Sequence, residues 1–309
     1  MVKTALLFAG QGAQFVGMGQ DLAKAHLTAQ TLFAQADEVL GYGLSEICFS
    51  GPEKELVRTE HAQPAIYLVG WVAFQLLREQ VPSFTFDATA GLSLGEFTAL
   101  AAAETIGFKD GLLVVRRRGE LMQDACEASS GGMAAIVGLE EEKVQEVCIQ
   151  TGVHIANLNC PGQIVVSGAA GKMDSACEVA KAAGAKRAIP LTVAGAYHSP
   201  LMQPAQAGLA EVLSKVDLNS QKVPVFSNVT GQMHASAETI AGTMVDQVTS
   251  PVKWEACIRA MIADGITRFI ELGPGSALTG FMRRIDREVE ILSVSDIESL
   301  TKTAEVLNS

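Results

Sequence analysis

Two kinds of hydrophobic pattern take turns along the chain. Short apolar runs of strand length cover Thr4 to Ala9, Phe84 to Ala90, Val223 to Asn228, Ile266 to Leu272 and Ile291 to Val294. Between them lie longer stretches in which apolar residues recur every three or four positions, the spacing of a helix with one buried face. These predict helices over Asp21 to Leu40, from Pro64 to about Gln80, Phe97 to Glu104, Asp110 to Cys126, from after Pro200 to about Leu213, Ala237 to Val248, after Trp254, from Ser276, and at the C-terminal end. Strands that alternate with helices imply a mainly parallel sheet covered on both faces, an α/β architecture.

The pattern changes after Ser129-Ser130-Gly131-Gly132. Strands at Met133 to Val137, Val153 to Leu158, Gln163 to Ser167 and Lys186 to Pro190 are interleaved with helices at Glu140 to Gln150 and Ala170 to Ala183. That order, βαββαβ, is ferredoxin-like. The expected organisation is therefore a large α/β domain, residues 1–128 and 198–309, with a small ferredoxin-like subdomain, 129–197, inserted into it.

The stretch with the most chemistry is Gly91-Leu92-Ser93-Leu94-Gly95-Glu96. It lies between an expected strand and an alanine-rich expected helix, which is the setting of a nucleophile elbow and gives the large domain an α/β-hydrolase-like character. Flanking glycines permit a strained turn that projects the Ser93 hydroxyl, and the helix start offers free N–H groups beside it. A serine needs a base. His26 and His61 fall at polar helix positions, His154 on a strand of the insert and His234 in a polar turn. His198 stands where the insert rejoins the large domain, and clefts between domains are where sites form. It is the chosen base, against the alternative of a structural loop histidine. No acid is placed to complete a triad, so a Ser–His pair oriented by a carbonyl or amide group fits better.

Composition narrows the class. A chain of 309 residues with 48% hydrophobic and 18% charged residues has ample core for one large domain or two modest ones. A net charge of −11 argues against nucleic acid and anionic membranes as partners. Six cysteines without ligand spacing read as buried hydrophobes in a reducing compartment. No apolar run matches a signal-peptide core or a membrane span, so a cytoplasmic location is expected. The glycine-rich loop Gly10-Gln11-Gly12 fits neither phosphate-loop nor dinucleotide spacing. It is better read as backbone that closely approaches another site, where Gln11 could donate its N–H. Of Arg116-Arg117-Arg118, spaced about 100° apart on a helix, at most one or two can face a given site.

Taken together, Phe8 to Gln14, Gly91 to Glu96, Arg118-Gly119, Asn157 to Gly168, Gly195 to Met202, Gln247 to Trp254 and Glu271 to Thr279 resemble the acyltransferase family of fatty-acid and polyketide synthesis, in particular its malonyl-CoA:acyl-carrier-protein transacylases. The resemblance spans essentially the whole chain. It implies Ser93 as the acylated nucleophile, His198 as its base, and Arg118 as the partner of the malonyl carboxylate. It also implies an oxyanion hole from the N–H groups of Gln11 and Leu94, Gln247 orienting His198 through its carbonyl oxygen, Asn159 near the substrate, and Tyr197 crowding any α-methyl group. The implied substrates are malonyl-CoA and holo acyl carrier protein, with no cofactor and no metal, and a monomer is expected. The alternatives are a trans-acting polyketide acyltransferase, a serine thioesterase, or a non-catalytic carrier-binding protein. Leu92 stands where the family usually has histidine, and Ala9 and Ala13 where many members carry proline and serine. For an acidic carrier, Lys181, Lys186 and Arg187, or Arg283, Arg284 and Arg287, are the candidate docking cations.

Overall fold

A computed structural model describes residues 2–309; Met1, the first residue of the expected large domain, lies outside the described residues. Five strands form a wholly parallel sheet. β1 (Thr4–Phe8) is central, flanked by β2 (Ala88–Gly91) and β8 (Arg268–Leu272), with β7 (Val225–Phe226) and β9 (Glu290–Val294) at the edges. All five residues of β1 are buried, as expected of a strand covered on both faces. No helix among the described residues is long and apolar enough to cross a membrane.

The second sheet is antiparallel and built from β3 (Gly131–Val137), β4 (His154–Cys160), β5 (Gln163–Ala169) and β6 (Arg187–Pro190) in the order β4-β5-β3-β6. With helices Glu141–Thr151 and Met173–Ala182 between strands, this is the ferredoxin-like order the hydrophobic pattern predicts. Alternation along the strands divides the labour between the faces. Ala134, Ile136, Ile164 and Val166 pack with the two helices, while Met133 and Val165 belong to the main core and line the central cavity.

Three expectations need correction. The helical run from Asp21 to Leu40 is two helices, Gln20–Ala25 and Leu27–Leu40, because His26 is extended; the apolar spacing passes across the break unchanged. Pro64 does not open its helix but sits in the second turn of Thr59–Gln80. The polar start is held instead by the neighbouring helix, where Gln123 Oε1 accepts the Thr59 N–H at 3.1 Å. The run Phe84 to Ala90 is strand only from Ala88. Phe84 and Phe86 stack on each other, and Phe86 meets Phe74 edge-on, so their apolar character serves an aromatic cluster.

The antiparallel sheet is tied by main chain to the loop before the helix Trp254–Ala263. Val252 donates to Ala156 O at 2.8 Å and accepts from Leu158 N at 2.9 Å, a parallel bridge beside β4. Around the elbow the packing leaves no room for a methyl group. A Cβ on Gly91 would collide with the Gly95 backbone, and one on Gly95 with the Phe8 carbonyl. Since backbone cannot step aside, Gly95→Ala should destabilise the fold by about 3 kcal/mol, the upper end of overpacking costs, read as a lower urea midpoint at unchanged m value.

Candidate active site

Ser93 sits between β2 and the helix Gly95–Ala102 with φ +51°, one of three non-glycine residues with positive φ among the described residues; His198, at +57°, is another. Such backbone is strained for side-chain-bearing residues and persists where surrounding contacts hold it. For Ser93 the brace is Asn228, whose Oδ1 accepts the Ser93 N–H at 2.6 Å while its Nδ2 donates to Gly91 O at 2.8 Å.

The Ser93 hydroxyl lies 2.8 Å from His198 Nε2, and His198 Nδ1 lies 2.9 Å from the main-chain oxygen of Gln247. A carbonyl oxygen only accepts, so the Nδ1 atom carries the proton and Nε2 is free to take one from Ser93. Burial, then the nearby Arg118 cation, pulls the imidazole pKa down to about 4. His198 is thus a neutral acceptor at physiological pH.

Arg118 is 1% exposed, on the helix Phe108–Glu127. Its Nη1 donates to Gln63 Oε1 at 2.7 Å, and its Nη2 to Gln247 Oε1 at 2.9 Å and Ser93 Oγ at 3.1 Å. The other two arginines of the triplet point away, both pairing with Glu120, as the 100° spacing requires. Burial pulls Arg118 down to about 10, opposed by the charge of Glu96; it remains a cation.

The first loop lies against the elbow. A Cβ on Gly10 would strike the Leu92 carbonyl, and Leu92 N–H donates to Phe8 O at 3.0 Å. Neither Gln11 N–H nor Leu94 N–H donates a hydrogen bond among the described residues. Both are therefore unengaged; Gln11 lines the same cavity as Ser93, and Leu94 directly follows it in the chain. The Gln11 side chain donates to Tyr197 Oη at 3.2 Å, and Tyr197 Oη also meets Thr59 Oγ1 at 2.5 Å, which fixes the ring.

A cavity of about 640 Å³ opens over these groups. Gln11, Ser93, His198, Tyr197 and Asn159 line it, and the buried Asn159 Oδ1 has no partner among the described residues. Leu92 contributes apolar wall, with Met133, Val165 and Phe281. All eight sequence candidates thus lie at or beside this one site. Of the proposed docking cations, Arg284 is already engaged, donating to Gln163 Oε1 at 2.6 Å and Pro161 O at 2.7 Å.

Sequence reasoning missed the layer beneath. Glu96, quoted within the motif, is fully buried and accepts from His234 Nε2 at 2.8 Å, Gln247 Nε2 at 2.6 Å and Asn228 N–H at 3.1 Å. His234 does follow a turn, as expected, and its ring is buried. Its local sequence is polar, and its partner lies 138 residues away, so no local signal announces it.

A strained serine sharing its hydroxyl with a neutral imidazole and a buried guanidinium, with two free N–H groups alongside, can accept an acyl group and stabilise the oxyanion formed on the way. Comparison with known proteins agrees. Residues 5–303 match the acyl transferase domain family. The malonyl CoA-acyl carrier protein transacylase of Bacillus subtilis (strain 168) is 43% identical over 312 residues, covering 99% of this chain and 98% of that protein. Among solved structures, an acyl-carrier-protein-S-malonyltransferase from Bartonella henselae superposes with a TM-score of 0.93 at 37% identity, over 99% of this chain and 100% of that one. A malonyl-transacylase solved in complex with its type II PKS acyl-carrier protein gives 0.95 at 37% identity, over 98% and 99%. With an elbow serine, its imidazole partner and a match from end to end, the chain belongs to the acyl transferase family.

Proposed function

We propose that this chain moves a malonyl group from malonyl-CoA to the phosphopantetheine thiol of an acyl carrier protein, through a malonyl ester on Ser93. The observation that carries the reading is the Ser93 hydroxyl shared between His198 Nε2 and Arg118 Nη2. A base on one side and a carboxylate receptor on the other suit an acyl group that bears its own negative charge.

In the first half-reaction His198 takes the Ser93 proton as Oγ attacks the thioester carbonyl. The oxyanion is held by the N–H groups of Gln11 and Leu94. The C–S bond then breaks, and the imidazolium returns its proton to the CoA sulfur. In the second, the carrier thiol gives its proton to His198 and attacks the ester, and Ser93 leaves with the proton restored. Arg118 grips the malonyl carboxylate in both. Asn159, with its unpartnered oxygen, suits an amide N–H of the pantetheine arm. The fixed ring of Tyr197 supports exclusion of an α-methyl group. In this reading residues 129–197 form an insert that walls the cleft, and the enzyme works as a cytoplasmic monomer.

The test is intact mass spectrometry. Malonyl-CoA should add one malonyl group per chain, and holo carrier protein should remove it much faster than water does. Discharge to water at the same rate would favour a thioesterase, and absence of any adduct would sink the proposal.

The His198 environment adds a pH signature. Its folded pKa, about 4, lies below the ordinary histidine value of 6.5. The neutral, proton-accepting form therefore persists as pH falls. Single-turnover acylation should stay flat from pH 7.5 to about 5 and halve near 4. The same displacement makes the unfolded chain bind the extra proton first, so this histidine's contribution to stability declines as pH falls from about 6.5 to about 4. Quenched-flow acylation in parallel with urea melts would separate the two.

A further inference from the structure

A cation as deeply buried as Arg118 ordinarily has a carboxylate in contact. Arg118 has none among the described residues. Its hydrogen bonds go to two side-chain amide oxygens and one hydroxyl, and its Nε is buried without a partner. The nearest compensation runs through Gln247. The carbonyl end of that side chain accepts from Arg118, and its NH2 end donates to Glu96 Oε2 at 2.6 Å. Nor does Glu96 touch a lysine or arginine among the described residues; His234 Nε2 donates to its other oxygen. These four residues come from separate parts of the fold: Arg118 and Glu96 from two helices, Gln247 from the end of the helix Ala237–Asp246, and His234 from the loop after β7.

We infer that Glu96 is the resident counter-charge of Arg118, held one side-chain amide away by Gln247 so that the guanidinium is compensated while staying open to a carboxylate from outside. A carboxylate in direct contact would stabilise the arginine better and block it. One placed across an amide still lowers the cost of the buried charge, since Coulomb attraction in a poorly polarisable interior extends well beyond contact. The pull that Glu96 exerts on the Arg118 pKa is in the matching direction. Gln247 is suited to the spacer role because its amide is polar at both ends. A carboxylate can only accept, so Glu96, together with the Ser93 main-chain oxygen at 3.0 Å, fixes which end of Gln247 faces the guanidinium. Glu96 is in this sense a positioning residue, which acts on a substrate carboxylate only through Arg118. The catalytic consequence rests on the reading of Arg118 as the malonyl receptor.

The experiment is a double-substitution cycle on the full chain with Glu96→Gln and Arg118→Gln. Glutamine at 96 can keep the hydrogen bonds, accepting from Gln247 and Asn228 while donating to His234, and removes only the charge. Alone, it should lower Tm by roughly 4–8 °C, the effect of stranding a buried cation. In the Arg118→Gln background it should cost almost nothing. If Glu96→Gln does not fold, the double variant should. The kinetic signature is the reverse of ordinary damage: KM for malonyl-CoA should fall severalfold relative to KM for acetyl-CoA, because no resident anion opposes the incoming one. The inference is overturned by equal Tm losses in both backgrounds, by a double variant that fails to fold, or by a rise in KM for malonyl-CoA. Arg118→Gln alone tests the proposed function separately. Undiminished preference for malonyl-CoA over acetyl-CoA would sink that reading, while the stability cycle would still decide the counter-charge.

Discussion

His198→Ala should slow formation of the malonyl ester on Ser93 by about a thousand- to ten-thousandfold, with the fold retained. The imidazole makes two hydrogen bonds, to Ser93 Oγ and to Gln247 O, and both belong to proton transfer rather than to binding. KM for malonyl-CoA should therefore move little. What survives should come from the oxyanion donors and from Arg118, which keeps its place through Gln63 and Gln247. Ser93→Ala in contrast should leave no covalent adduct at any time, since no other side chain supplies an oxygen at that point. Rapid-quench mass spectrometry across minutes to hours distinguishes a slow ester from none. An adduct in His198→Ala that forms at the wild-type rate would remove His198 from the mechanism.

Arg118→Ala should change which acyl group is accepted. Loss of a buried charge-assisted contact costs about 2–4 kcal/mol, roughly 30- to 1,000-fold in kcat/KM for malonyl-CoA. Acetyl-CoA, with no carboxylate to place, should lose much less, so the ratio between the two substrates should collapse. A second effect follows from position. The Arg118 charge helps depress the His198 pKa, so its removal should shift the acid limb of the remaining acetyl transfer to higher pH. A pH–rate profile of the variant with acetyl-CoA would show the limb displaced upward. Unchanged acyl preference and an unchanged limb together would mean that the guanidinium is structural.

Much of this site could be read from the chain because its parts obey local rules. Gly91 and Gly95 are needed where two backbones touch, and that need appears as a glycine spacing around the serine. The inward direction of a single arginine follows from helical geometry once Arg116 and Arg117 find Glu120. The ferredoxin-like order is legible because alternating strands and periodic helices are each local signals. The rest depends on encounters between distant segments. His198 could be preferred from its place at a junction, but only folding brings it to Ser93. Asn228 reads as the end of a strand and His234 as part of a polar turn, and both are buried beneath the nucleophile. Boundaries failed where tertiary contact overrules local preference: at His26, at Pro64, and along Phe84 to Asp87, where aromatic packing takes the place of a ladder.

The bridge between Val252 and β4 bears on how such a cleft can change its clientele. Gln247, five residues earlier, anchors the imidazole, and Lys253, one residue later, donates to Asn228 O at 2.9 Å. Floor and roof are thus stitched along one seam of main-chain hydrogen bonds, and such bonds are blind to the identity of the side chains beside them. The height of the chamber comes with the backbone, whereas its upholstery, Leu92 and Tyr197 included, can be replaced piece by piece. New acyl preferences on this scaffold should arise by relining a chamber of constant height, with the reacting atoms left undisturbed.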